Sequence, residues 1–68
     1  MNNRIRVARA ETKMTQQQLA DSACVSRQTI NAIESGKFVP STLLALKIAR
    51  IFGKSVEELF SLEEEDLQ

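Results

Sequence analysis

The chain has no histidine, no tryptophan and a single cysteine among its 68 residues. One thiol without a histidine cannot build a disulfide framework or a Cys/His zinc cluster within the chain, which points to a reducing compartment. With no histidine, no glycine-rich phosphate loop and no acids clustered beside a nucleophile, general acid-base and covalent catalysis have no candidates, so an enzyme is not expected. Also missing is any apolar run long enough to cross a membrane, and the start MNNRIRVARA lacks the apolar block of a signal peptide. These absences lead us to expect a cytoplasmic protein with no cofactor, no metal, no small-molecule ligand and no membrane partner.

What is present suits one small folded domain. A hydrophobic content of 43% excludes a disordered tail, although the length lies near the lower limit for an unstapled core. The net charge is zero, which would disfavour nucleic acid were the charges evenly mixed. They are segregated. All nine basic residues and only Glu11, Asp21 and Glu34 among the acids fall in residues 1–54, a surplus of six positive charges, while residues 55–68 carry six acids and no base. A basic body can face DNA while an acidic end stays in solvent.

The most informative stretch is TQQQLADSACVSRQTINAIESGK, residues 15–37. Thr15 with Gln18 three residues on forms a T-x-x-Q capping box that opens a helix from about Gln16 to Ser22. A turn of about four residues follows, then a second helix from Arg27 to Ser35, stopped at Gly36, where a left-handed backbone is expected. Helix, short turn, helix is the arrangement that braces one helix on DNA while the next enters the major groove. On a wheel of 100° per residue Ile30 and Ile33 define the inward direction of the second helix. Gln28, Asn31, Ala32 and Ser35 cluster on the opposite side, with Arg27 and Thr29 on the flanks. This outward face is polar and short-chained, as a groove floor requires. Arg27 matches guanine O6 and N7, Gln28 and Asn31 match adenine N6 and N7, and the methyls of Thr29 or Ala32 match thymine.

These residues resemble the helix-turn-helix of the lambda-repressor and Cro-like, or xenobiotic-response-element type, family of transcriptional regulators. The similarity rests on Gln16, Gln17, Leu19, Ala20 and Val25, on Ser26-Arg27-Gln28-Thr29-Ile30 and on Ile33-Glu34-Ser35-Gly36-Lys37. It continues through Pro40-Ser41, LLALKIARIFG and SVEELF, nearly to Phe60. The resemblance implies an all-α, compact five-helix domain over residues 1–60 with an acidic tail at 61–68, in a prokaryotic or phage context. It implies that Arg9 pairs with Glu34 and that Gln16 meets a phosphate, a role that the free N–H groups of a helix start also favour. Family members commonly place glycine where this chain has Cys24, because the backbone there is left-handed; a non-glycine residue costs roughly 1 kcal/mol in that conformation.

In chain order, the first helix is expected over about residues 3–13, with Ile5, Ala8 and Thr12 inward and Arg4, Arg6 and Lys13 largely in water. After Gly36, Phe38 is expected to plug the core. Ser35 and Lys37 lie beside the groove, and Thr42, at the start of a helix capped by Ser41, offers its backbone N–H. With Gln16, these are the candidates for phosphate contact. Leu44, Ala45, Ile48, Ala49 and Phe52 have core spacing, and Ser55-x-x-Glu58 is a second capping box opening a fifth helix. Leu43, Leu46, Ile51 and Leu62 are left without a place inside. They suggest a symmetric homodimer, with Val56, Leu59, Phe60 and Leu62 as contacts and the two copies of helix 27–35 about 34 Å apart on an inverted repeat. The tail SLEEEDLQ is expected to be a frayed, solvated end. The expected function is sequence-specific binding of double-stranded DNA as a transcriptional regulator, more specifically a repressor. The alternative is a protein-binding antitoxin or anti-repressor on the same scaffold, which would need aromatic or large aliphatic anchors on helix 27–35.

Overall fold

Side-chain oxygens at four positions decide where the helices begin. In the computed structural model, which describes residues 1–68, Thr15, Ser26, Ser41 and Ser55 each accept a hydrogen bond from the backbone N–H three residues on, at 3.0 to 3.2 Å. They open α2 (Gln16–Ala23), α3 (Arg27–Glu34), α4 (Thr42–Phe52) and α5 (Val56–Leu59). Both expected capping boxes are closed, since Gln18 and Glu58 reach back to the backbone N–H of Thr15 and Ser55 at 2.9 Å. Each such cap satisfies donors that a short helix would otherwise leave open.

α1 (Ile5–Thr12) begins later than its sequence pattern suggests. Asn2–Asn3 are drawn into a strand, β1, that pairs antiparallel with β2 (Phe60–Ser61), in the register Asn2 to Ser61 and Asn3 to Phe60. Arg4 N–H donates to the Leu59 carbonyl at 2.8 Å, continuing the tie. Asn3 itself accepts from Ile5 N–H at 3.3 Å and donates to the Ile33 carbonyl at 2.9 Å, so it starts α1 and holds the end of α3. The fold is otherwise all-helical, as expected.

α2 packs against both α3 and α4, and the core gathers round that junction. Its apolar side chains are Ile5 and Ala8 of α1, Leu19, Ala20 and Ala23 of α2, Ile30 and Ile33 of α3, Leu44, Ala45, Ile48 and Ala49 of α4, then Leu59 and Phe60. Ala20 is wholly buried on α2. Because side chains in a close-packed core have no spare volume, only a small residue fits there.

Four expectations need correction. Thr12 is exposed, its hydroxyl turned back onto the Ala8 carbonyl at 2.9 Å. Phe38 is 48% exposed. The backbone N–H groups of Lys37 and Phe38 both fold onto the Ala32 carbonyl, and Pro40 is the residue of this loop that is buried. Leu59 and Phe60, expected at a dimer contact, lie inside the chain's own core at 1% and 7% exposure, because β2 pulls them under β1. The tail is not frayed: Glu64–Leu67 form a 3-10 turn whose Asp66 and Glu63 carboxylates lie 2.9 and 3.5 Å from the Met1 ammonium. Its hydrogen bond to Asp66, acting with both charges against partial desolvation, raises the pKa of that ammonium above the ordinary amino-terminal value.

Four helices stop at a left-handed residue, and in two of them it is not glycine: Lys13 (φ 56°) after α1 and Cys24 (φ 60°) after α2, against the expected Gly36 (φ 79°) after α3 and Gly53 (φ 64°) after α4. Cys24 is exposed and unpaired, so its side chain contributes no packing to offset the strain. Cys24→Gly is therefore expected to stabilise the fold by about 0.5 to 1 kcal/mol in urea titrations, after the greater flexibility of glycine in the unfolded chain is allowed for. An unchanged or lower midpoint would show that the thiol stabilises the turn.

Candidate nucleic-acid interface

Burial of Ile30 and Ile33 at 0% and 1% exposure sets the rotation of α3. One helical residue in 3.6 then faces inward and its opposite faces solvent, which places Gln28, Asn31 and Ser35 outside together with Arg27. Ala32 and Thr29 are half-buried at the edges of that face. The Thr29 hydroxyl shares a hydrogen bond with Ser26 Oγ at 2.9 Å, so it is occupied at the helix cap.

One carboxylate fixes this helix to the rest of the molecule. The Glu34 side chain is fully enclosed, and Arg9 grips it with a two-pronged contact, Nε to Oε2 at 2.6 Å and Nη2 to Oε1 at 3.1 Å. Arg9 Nη1 also donates to the Met14 carbonyl at 3.0 Å, which ties the α1–α2 turn to the same guanidinium. The pairing implied by family resemblance is thus present. Arg6 Nε stands 3.6 Å from Glu34 Oε1 on the solvent side. Desolvation pushes the Glu34 carboxyl up, but the hydrogen bonds from Arg9 and Gln16 and the charges of Arg9 and Arg6 outweigh it and hold its pKa below the ordinary glutamate value.

Gln16 carries the network outward to the candidate reading residues. Its Nε2 donates to Glu34 Oε1 at 3.1 Å and to Asn31 Oδ1 at 3.2 Å, and its Oε1 accepts from Arg27 Nε at 3.4 Å. Gln16, Arg27, Gln28 and Asn31 line one surface concavity. The shared bonds orient three of the four while leaving capacity for a ligand: Asn31 keeps its amide N–H groups and one lone pair, and Arg27 keeps the Nη donors of its fork. A side chain already held in place loses less freedom when it binds.

A second concavity brings Arg6, Arg9, Lys13 and Arg27 around Gln16 and Gln17 at the start of α2, with no acid among its lining residues. Arg6 and Lys13 were expected only to be solvated. Their alignment is visible in the spacing 6, 9, 13, which places three bases on one helix face, but only the fold puts that face beside α2. Lys37 and Thr42 are exposed and free of side-chain partners, whereas the Ser35 hydroxyl donates to the Ala32 carbonyl at 3.2 Å. No helix of the chain is long and apolar enough to cross a membrane.

Residues 5–59 match the family model described as helix-turn-helix. An uncharacterized HTH-type transcriptional regulator of Bacillus subtilis, YgzD, is 46% identical over 66 residues, covering 97% of this chain and all of that protein. One from the archaeon Methanocaldococcus jannaschii is 47% identical with the same coverage. The HTH-type transcriptional activator BcrR of Enterococcus faecalis is 36% identical over 63 residues, 93% of this chain but 31% of BcrR.

The Glu34 network has a pH signature. A carboxylate whose folded pKa is lowered stabilises the fold fully above its unfolded pKa of about 4.3, and that contribution is lost as pH falls through the folded value. Glu34→Gln is expected to cost about 2 kcal/mol at neutral pH, between the values for open-surface and fully buried pairs. The gap between variant and parent should narrow below about pH 4 in urea titrations. A gap that stays constant into acid would mean that the charge of Glu34 is irrelevant to stability.

Proposed function

The chain belongs to the Cro/CI-type helix-turn-helix family of DNA-binding transcriptional regulators, which are not enzymes, and we propose that it represses transcription by occupying a specific double-stranded operator. α3 lies in the major groove, where Arg27, Gln28 and Asn31 read base edges and Thr29 and Ala32 contact thymine methyls. Gln16, Ser35, Lys37 and Thr42 meet phosphates and set the register, joined by Arg6 and Lys13. For Thr42 the open backbone N–H at the start of α4 is the natural donor; the Ser35 N–H is bonded to the Asn31 carbonyl at 3.0 Å, so Ser35 would reach a phosphate by turning its hydroxyl away from the Ala32 carbonyl. Occupancy alone excludes another protein from the same site.

The observation that carries this reading is the contrast across α3, with two isoleucines sealed beneath and a mainly polar, exposed face above, on which Arg27 and Asn31 are held by Gln16 and keep free donors. The alternative of a protein-binding antitoxin or anti-repressor is less well supported, because that face offers no aromatic or large aliphatic anchor. We further propose that the chain acts as a homodimer on an inverted repeat. Of its expected contacts, Leu62 is exposed and Val56 half-buried, with Leu43 and Leu46 exposed nearby in sequence on α4.

Selection of bound duplexes from a random pool at fixed salt is expected to return an inverted repeat with half-sites one helical turn apart. Recovery of unrelated sequences would overturn the reading. Gln28→Ala should relax preference at particular base pairs, by roughly 1 to 3 kcal/mol of discrimination. Lys37→Ala should weaken binding to specific and random duplexes alike and reduce the slope of log affinity against log salt by about one unit. Equal losses on both kinds of duplex for both variants would contradict the division between reading and positioning.

A further inference from the structure

The exposed side of α4 carries Leu43, Leu46 and Arg50 on successive turns, and with Lys47, Lys54 and Val56 these line a groove on the surface. Leu43 and Leu46 are 68% and 54% exposed. No carboxylate lines the groove. Arg50 has no ion-pair partner and Lys54 has only a distant one, Glu11 at 3.9 Å. An apolar floor with a cationic rim suits an acidic segment that also presents leucines; bare phosphate would leave the floor uncovered.

This chain possesses such a segment. Leu62 and Leu67, 65% and 72% exposed, bracket Glu63–Asp66. Two of the four acids hold the Met1 ammonium, which keeps the turn folded and leaves Glu64 and Glu65 exposed without ion-pair partners. No tail residue lines the groove of its own chain. We propose that the groove receives the tail of a second copy, reciprocally about a two-fold axis. Leu62 and Leu67 cover Leu43, Leu46 and Val56 of the other chain, and Glu64 and Glu65 face its Arg50 and Lys54. An isologous contact of this kind uses both patches twice, so each chain's surplus of one sign meets the opposite sign. The zero net charge of a chain so sharply divided then becomes a feature of assembly. This inference rests on the homodimer reading and gives that dimer its contact.

The test is sedimentation equilibrium of the full chain and two charge-reversed forms, Arg50→Glu with Lys54→Glu, and Glu64→Lys with Glu65→Lys, with melting curves run alongside. The parent is expected to be dimeric, and each reversal alone to weaken dimerisation about ten-fold or more. An equimolar mixture of the two reversed forms should recover it, because each tail again faces a groove of opposite sign. If a reversed form does not fold, the corresponding glutamine pairs take its place, with a loss of about three-fold each and only partial recovery on mixing, because the mixed dimer keeps one of its two charged contacts. A parent dimer that neither pair of changes weakens overturns this contact while leaving the dimer. Weakening without recovery on mixing the reversed forms overturns the pairing, as does a changed melting curve with unchanged mass, the mark of a tail that binds its own groove. A parent that stays monomeric where it saturates DNA overturns both readings.

Discussion

The Glu34 carboxylate is the constraint on which the interface depends. A helix of eight residues such as α3 has little stability of its own in water and must be held by its surroundings. Ile30 and Ile33 anchor it by apolar burial, which resists withdrawal from the core but is non-directional. The two-pronged grip of Arg9 on Glu34 supplies direction, and through Gln16 that direction passes to Asn31 and Arg27. A buried ion pair adds little net stability once desolvation is counted, so its consequence here is geometric.

The charges of the molecule gather in two places, and the acidic one, with Glu63 and Glu65, shares a concavity with Ser35 and Gly36 at the end of α3. The basic residues of α1 face the start of α2, where free backbone N–H groups add to their field. The acids of the tail close on the amino terminus instead, through Met1. Net charge therefore says little about partners here, because what an approaching phosphate feels within a Debye length is local.

Much of this was legible in order of residues. Thr15, Ser26, Ser41 and Ser55 announce helix starts because a capping side chain acts over three residues, a range the sequence displays directly. The inward faces of α2, α3 and α4 follow from 3.6-residue spacing, and the strained position of Cys24 from the glycine that the family resemblance leads one to expect there. The exceptions are of two kinds, local turns that expose Thr12 and Phe38 and distant partners that claim Leu59, Phe60 and the tail. Phe38 has the composition of a core residue yet stays outside, because the loop turns on the Ala32 carbonyl and buries Pro40. Leu59 and Phe60 look available for a partner but are claimed by the ribbon joining residues 2–3 to residues 60–61. The tail looks too acidic to order until the Met1 ammonium is brought beside it.

By itself the sequence determined the helical class, the helix-turn-helix and the polar character of the α3 surface, since each depends on short-range periodicity, caps or a motif of fixed spacing; the Arg9 partner of Glu34, far off along the chain, was implied only by the family resemblance. Tertiary structure decided which bases stand beside that surface, how Gln16 links the reading residues, and which leucines remain uncovered. Those depend on how α1 and the chain ends close over the core. Contacts between residues far apart along the chain are selected by packing as a whole, and no local rule contains them.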